Sequence, residues 1–427
     1  MQRTKQTGFG GWSFWLFSAI AIGIWQSQPE ISAAIEEGGI DYAIYLGPIW
    51  IKLVKDAFVV GLWLYLVLAV KDPFPASVRR AVVWTYAITS VGFLLACLWL
   101  SPLLALAGVR WIIAVFVLIE LRRLYGRPID AKLVTVGLLS LLLVHVGLQC
   151  ARLFYFPPMW GEVWGLAARV PGFFLLPNTN AMFAVGCAAV LIDLLGRTHK
   201  FARLAMLLAT FSAVLSQSAG GLMACIVLLA FMYFRRITYA GPLVLVVGAV
   251  VLASATSVLG RTDFLEVSGG DRIGKLAMAA GELTGLGAFG AYTNTGFMLV
   301  LAGDAGGASG REPVISDSFY VSLIGNFGLL VIPLSLLFWT VLARASRHLR
   351  KHRLRLGMAS LLCLGTFGFS TVVSEAFPMT VMLSIGAWLG SMPQKVRRTR
   401  RRAAETDAPG IAQRQIDVVQ PVQSTAP

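Results

Sequence analysis

The chain has 427 residues, of which 57% are hydrophobic and only 13% charged, with a formal net charge of +15. Its mean hydropathy is +0.74; a soluble domain carries about 25% charged residues, so a chain of this composition is a polytopic membrane protein with no room for a large soluble domain. The excess of basic residues is not a nucleic-acid signature, because they concentrate in short loops on alternate sides of apolar runs, the positive-inside pattern.

Runs of about 17 to 25 apolar residues, each able to cross the hydrocarbon core as a helix, recur along the whole length. The five cysteines (Cys97, Cys150, Cys187, Cys225 and Cys363) lie in or beside these runs, are odd in number and lack C-x-x-C spacing. That pattern argues against disulfides and against a metal site.

Arg3 and Lys5 precede an apolar run from Gly11 to Trp25, read as a first spanning helix that is retained, since Ser32-Ala33-Ala34 is the only cleavage-like site. The segment 26–41 carries Glu30, Glu36, Glu37 and Asp41 without Lys or Arg and is expected to be an outward loop. A second span, Pro48 to Val70, contains Lys52, Lys55 and Asp56 near its outer end. These either snorkel to the interface or form a wall of an active cavity.

After an inward loop with Lys71, Arg79 and Arg80, spans are expected at Ala81 to Leu100 and Leu103 to Leu121. Arg110, in the outer half of the latter, is open to structural pairing or to ligand binding. The loop with Arg122, Arg123, Arg127 and Lys132 leads to a fifth span ending near Cys150, in which His145 reads as a satisfied buried histidine rather than a catalytic one. The aromatic and proline-rich stretch Ala151 to Asn180 reads as an outward, interfacial structure lying on the membrane.

Further spans are expected at Ala181 to Leu195, Leu204 to Leu215, Leu222 to Phe234, Gly241 to Leu259, Phe319 to Leu342, Gly357 to Val373 and Pro378 to Leu389. The turn Ser216 to Gly221 joins two of them, and the basic loop Arg344 to Arg355 lies inside. With this threading about 27 of the 36 Lys and Arg lie inside, and about 14 of the 21 acidic residues lie outside. The expected architecture is an all-α, polytopic membrane domain over 1–392 with about 12 transmembrane helices and both ends cytoplasmic. A large periplasmic loop, 260–318, separates helices 9 and 10, and a basic tail, 393–427, lacks the composition to build a core and is expected to be disordered.

Arg261 to Tyr320 is the only long polar stretch between hydrophobic runs, and any chemistry is expected there. Gly285-Leu286-Gly287-Ala288-Phe289-Gly290 matches G-x-G-x-x-G, yet no strand precedes it and no acidic residue follows at ribose distance, so a dinucleotide site is rejected. A simple turn, or a glycine loop giving close backbone approach to an anion, is what remains. Arg272 and Lys275 share one face of a short amphipathic segment and either clamp a diphosphate or meet lipid headgroups and nearby carboxylates. Asp317, at the membrane boundary, is equally suited to general base and to helix cap. His199, His348 and His352 all fall on the inner side, which removes a histidine base or metal site from the outward loops.

These residues resemble the bacterial polysaccharide polymerases of the Wzy type and the related O-antigen ligases. The resemblance is carried by Arg272 with Leu276 and Ala279, Gly285 and Gly287 with Tyr292-Thr293-Asn294, Asp317-Ser318-Phe319-Tyr320, the Gly325 to Gly328 region, and Pro177-Asn178-Thr179-Asn180-Ala181. It implies inverting glycosyl transfer on the periplasmic face of the inner membrane from an undecaprenyl-pyrophosphate-linked oligosaccharide, without metal or cofactor. Arg272, with Lys275, Arg152 and Arg261, would bind the pyrophosphate. Tyr292, Asn294, Tyr320 and Glu375 would line the substrate cavity. The ligases commonly carry a histidine where Asp317 stands, so the departure favours a polymerase over a ligase. The general character of the chain looks most like the polymerases of secreted exopolysaccharides such as xanthan, and Asp317 is the expected catalytic residue. Implied partners are membrane lipids, a flippase, and chain-length or export proteins. The alternatives are ligase-type transfer to another acceptor and a transporter of polysaccharide or lipid-linked sugar.

Overall fold

A helix that is apolar over most of its surface has no solvent side and can sit in the middle of a bundle, and two segments of this chain do so. In the computed structural model, which describes residues 11–36, 49–99, 102–127, 129–155, 169–234, 318–352, 354–370 and 376–389 with isolated positions 274, 277 and 373, both are central. Helix α6 (Pro177–Leu195) is buried without interruption from Thr179 to Ile192, and α12 (Phe377–Leu389) is buried at every residue. They pack on each other through small residues. A Cβ on Gly186 would strike Met382, and one on Gly386 would strike Ser360 and Val190. Such close approach is how helices associate where lipid removes the hydrophobic drive.

The other helices surround this pair. Helices α1 (Trp12–Glu36), α2 (Ile49–Ala69) and α4 (Pro102–Glu120) pack on α12, while α5 (Ala131–Arg152), α7 (Lys200–Leu215) and α8 (Ala219–Tyr233) pack on α6. Helix α11 (Met358–Phe367) touches α6, α8 and α12. Helix α3 (Ala76–Trp99) lies between α4 and α10 (Val331–Lys351), and the short α9 (Phe319–Phe327) leans on α4. No strand occurs among the described residues.

Among the described residues four helical stretches, Ala76–Leu98, Ala131–Arg152, Pro177–Leu195 and Phe319–Lys351, are long and apolar enough to cross a membrane. Their outward faces carry large exposed apolar residues, among them Trp84, Leu94, Leu143, Leu336 and Trp339, as contact with hydrocarbon requires. The stretch Phe319–Lys351 is not one continuous helix. It breaks at a 3-10 turn, Gly328–Leu330, where Gly328 takes φ 49°, a conformation that a glycine adopts without steric penalty.

The spans differ in places from those expected. Helix α1 runs past Trp25 to Glu36 with Pro29 inside it, so much of the expected outward loop 26–41 is helical. Helix α3 starts at Ala76, placing Arg79 and Arg80 in the helix, and α10 continues to Lys351 through the expected basic loop. The expected ninth span, 241–259, and the tail 393–427 lie outside the described residues.

The bundle has two chemically different ends. At the basic end, Arg122 is buried, with Nη2 2.6 Å from Asp72 Oδ2 and Nη1 3.1 Å from Glu120 Oε2. Arg123 pairs with the same carboxylate and donates to the carbonyls of Val67 and Val70 at the close of α2. Tyr86 donates to Glu120 Oε1 at 2.9 Å, and Trp63 donates to Tyr86. Asp193, near the end of α6, accepts from the backbone N–H groups of Ala359 and Ser360 at 3.0 and 2.8 Å and so caps α11 from another helix. His199, His348 and His352 belong to this end too: His199 caps α7, and the His348 ring packs at an angle against Phe74 and His352.

Glu120 is fully buried between two guanidiniums. Removing one partner of a buried pair leaves a charge without compensation and costs about 3–5 kcal/mol. Glu120→Gln is therefore expected to lower the unfolding free energy of the detergent-solubilised protein by about that amount. An unchanged thermal midpoint would show that Arg122 is solvated and that this network does not hold the basic end together.

Candidate functional site at the polar end

The opposite end is built from neutral amides and hydroxyls around a segment that is not helical. His145, Gln149 and Arg152 lie on α5 at spacings of four and three and so share one helical face; all three are buried. They face residues 169–176, where Val170 to Leu175 are buried without forming a helix. Backbone in that condition needs a partner for each N–H and carbonyl, since neither a ladder nor water supplies one.

The partners come from four helices. Asn180, on the first turns of α6, accepts from Gly172 N and Phe174 N at 3.0 and 3.2 Å and donates to the carbonyls of Phe174 and Leu176. His145 Nδ1 accepts from Phe173 N at 3.1 Å. Gln149 Nε2 donates to Val170 O and to Ser216 Oγ, Arg152 Nη1 donates to Gly172 O, and Gln28 of α1 donates to Phe173 O. Val170 N in turn donates to Leu215 O at the end of α7.

His145 is thereby fixed in one tautomer. Because Nδ1 accepts, the proton sits on Nε2, which lies 3.1 Å from Ser212 Oγ and donates to it. Gly172 is required by this arrangement, as a Cβ there would collide with the imidazole. The histidine is a satisfied interior residue, as expected from the sequence. The aromatic stretch is not what was expected: 169–176 runs inside the bundle rather than lying on the membrane, because these side chains satisfy its backbone. Residues 156–168 lie outside the described residues.

Beside this segment several helix ends meet. Asn178 accepts from Ser218 Oγ at 2.8 Å and donates to Ser370 Oγ at 3.3 Å, tying the start of α6 to the starts of α8 and the end of α11. Ser218 also caps α8 through Gly221 N, and its neighbour Gln217 takes the left-handed φ of 47°. Ser318 caps α9 through Val321 N. Tyr320 N lies 3.3 Å from Gly368 O, and its hydroxyl donates to Gly365 O at 2.8 Å. Lys55 is buried, with Nζ 5.9 Å from the ring of Phe377 at the start of α12; of its two sequence readings, snorkelling to the interface is not realised.

The N-termini of α6, α8, α9 and α12 thus share one end with Arg152, Arg169 and Lys55. Helix N-termini carry partial positive charge and unsatisfied N–H groups, so this end favours anionic or hydroxyl-rich ligands. Of the residues expected to form the site, Arg152 and Tyr320 are both here. Arg152 is largely engaged with the loop backbone, its Nε without a partner among the described residues, and the hydroxyl of Tyr320 is engaged by Gly365. Asp317, Arg272, Lys275, Arg261, Tyr292, Asn294 and Glu375 lie outside the described residues, as do the side chains of Lys52 and Arg110. Asn180, Gln149 and Gln28 were missed as a set, although three polar residues at 145, 149 and 152 on an otherwise apolar helix were the available signal.

No protein-family model matches the chain, nor does any curated protein or solved structure.

Asn180→Ala would orphan two buried N–H groups and two carbonyls, each costing about 1–3 kcal/mol when left unsatisfied. The expected result is a large loss of stability together with faster hydrogen exchange in peptides covering 172–174. Asn180→Asp should behave similarly, because a carboxylate cannot donate to Phe174 and Leu176. Wild-type exchange protection in both variants would show that another group holds the segment.

Proposed function

We propose that the protein polymerises undecaprenyl-pyrophosphate-linked oligosaccharide repeat units into an exopolysaccharide by inverting, metal-independent glycosyl transfer. The observation that carries this reading is the meeting of Arg152, Arg169 and four helix N-termini at the end where the long polar stretch rejoins the bundle through Ser318 and Tyr320. In this reading the polar end faces the periplasm and the basic end the cytoplasm, with both chain termini cytoplasmic, as the lysine and arginine bias requires.

In the proposed reaction Asp317 takes the proton from an acceptor sugar hydroxyl as that oxygen bonds to the anomeric carbon of the lipid-linked chain. The bond from that carbon to the pyrophosphate oxygen breaks, and the undecaprenyl pyrophosphate leaves as an anion. Arg272 and Lys275, with Arg152 and Arg261 nearby, neutralise it; the planar guanidinium of Arg272 suits two phosphate oxygens at once. Tyr292, Asn294, Tyr320 and Glu375 would position the sugars.

Two alternatives remain distinct by experiment. Ligase-type transfer is disfavoured by Asp317 standing where the ligases carry histidine. A transporter of lipid-linked sugar is favoured by two observations, the buried irregular backbone at 169–176 and the break at Gly328, since carriers build sites from interrupted helices.

Deleting the gene and complementing it separates these. A polymerase defect leaves single lipid-linked repeats accessible at the periplasmic face, a ligase defect leaves lipid-linked polymer, and a carrier defect leaves repeats inaccessible from outside. Arg272→Ala should fail to restore polymer, Arg272→Lys should restore little, and Asp317→Asn should be folded and present in the membrane but polymerise very slowly. Full polymer from Asp317→Asn would reduce Asp317 to a cap.

Orientation is tested independently by reporter fusions. Fusions after Arg236 and Arg350 should report cytoplasm, and one at Asp304 should report periplasm. A cytoplasmic signal at residue 304 would end the proposed chemistry.

A further inference from the structure

Five arginines of the basic end already have partners. Arg122 and Arg123 take up Asp72 and Glu120, Arg127 donates to Tyr65, Arg197 donates to Phe231 O, and Arg344 Nη1 reaches Ser77 O at 2.6 Å. Arg79 and Arg80, like Arg203, Arg347 and Arg350, are exposed and make no ion pair or side-chain hydrogen bond among the described residues, but they alone of these adjoin a depression. Together with Ala76, Val83 and Trp84 they line an open depression of about 430 Å³ on one face of α3.

The same face continues as an apolar track. Val83 and Trp84 are 64% and 62% exposed, and Val91, Leu94 and Leu98 follow at 53%, 60% and 77%. At 1.5 Å per residue the distance from Val83 to Leu98 is about 22 Å, close to the length of a lipid acyl chain. An indole at the junction between charge and hydrocarbon is where tryptophan settles at a membrane interface. The carboxylates that could neutralise the two arginines, Asp72 and Glu120, are held by Arg122 and Arg123. Arg344, pulled to Ser77, adds a further guanidinium beside the first turn of α3.

We propose that this face is a binding site for an anionic phospholipid, the headgroup phosphate lying on Arg79 and Arg80 and one acyl chain along Val83, Trp84, Val91, Leu94 and Leu98. Charge complementarity selects the headgroup, and the length of the track selects a two-part ligand over a free anion. The proposal is independent of the reaction assigned to the polar end.

The test uses the full-length protein in neutral detergent, with native mass spectrometry for retained lipid and thermal unfolding for stabilisation. Phosphatidylglycerol should be retained and should raise the unfolding midpoint, whereas phosphatidylcholine with the same chains and inorganic phosphate should do neither. Arg79→Gln with Arg80→Gln should weaken phosphatidylglycerol binding by about tenfold or more. Trp84→Ala should weaken it with both arginines in place. Arg347→Gln with Arg350→Gln, on the neighbouring α10, should leave it unchanged. Equal retention by the Arg79/Arg80 double variant, an equal loss in the Arg347/Arg350 variant, or the same stabilisation by inorganic phosphate would each overturn the proposal. The first would place the lipid elsewhere, the second would make the attraction diffuse, and the third would make the site one for a bare anion.

Discussion

The polar end depends on one requirement: that the backbone of residues 169–176, non-helical and buried, find every hydrogen-bond partner inside the protein. In hydrocarbon an unsatisfied N–H or carbonyl costs several kcal/mol, so such a segment persists only where side chains take the place of a helix or a ladder. Asn180 does the largest share of this, since an amide can accept from two N–H groups and donate to two carbonyls at once. The local sequence lowers the requirement. Pro171 has no N–H to satisfy, Gly172 lets the imidazole of His145 approach, and Pro177 starts α6 where its missing N–H is no loss.

The two ends solve the same problem with different chemistry, and the difference has electrostatic consequences. At the basic end carboxylates do the work, with Asp72 and Glu120 compensating buried arginines and Asp193 capping α11. At the polar end Asn178, Asn180, Gln149, Ser218 and Ser370 do it without charge. Arg152 makes no ion pair with a carboxylate among the described residues, so its charge adds to that of the helix N-termini around it instead of being cancelled.

Much of the helical framework is legible in the sequence, because apolar run length is a one-dimensional property. Helices α2, α4 and α12 begin and end within a residue or two of the hydrophobic runs that suggested them. The errors fall where the outcome rests on contacts between distant positions. The stretch after Cys150 has the aromatic and proline content of an interfacial segment, and nothing local shows that Gln28, His145, Gln149 and Asn180 converge on its backbone. Helix α1 continues through Pro29 to Glu36, against the usual reading of a proline after an apolar run as an end. For the candidate site, the motifs that carry the resemblance fall largely between 261 and 317, so the residues that connect them to the described architecture are few: Arg152, Asn178, Asn180, Ser318 and Tyr320.

Those few residues say something about how the long polar stretch is attached. Helices α11 and α12 have 10 and 13 residues, about 15 and 20 Å, and neither alone crosses the roughly 30 Å of a hydrocarbon core. Beyond α11 the described residues 368–370 form a turn, and the carbonyls at the end of the helix need donors. Tyr320 provides two of them, its N–H to Gly368 and its hydroxyl to Gly365, and its ring packs so closely on Gly368 that a Cβ there would meet it at 2.5 Å. Helix α9, the first described helix after the polar stretch, is therefore also the element that completes the end of α11. Its position is set by hydrogen bonding to the carbonyls of Gly365 and Gly368.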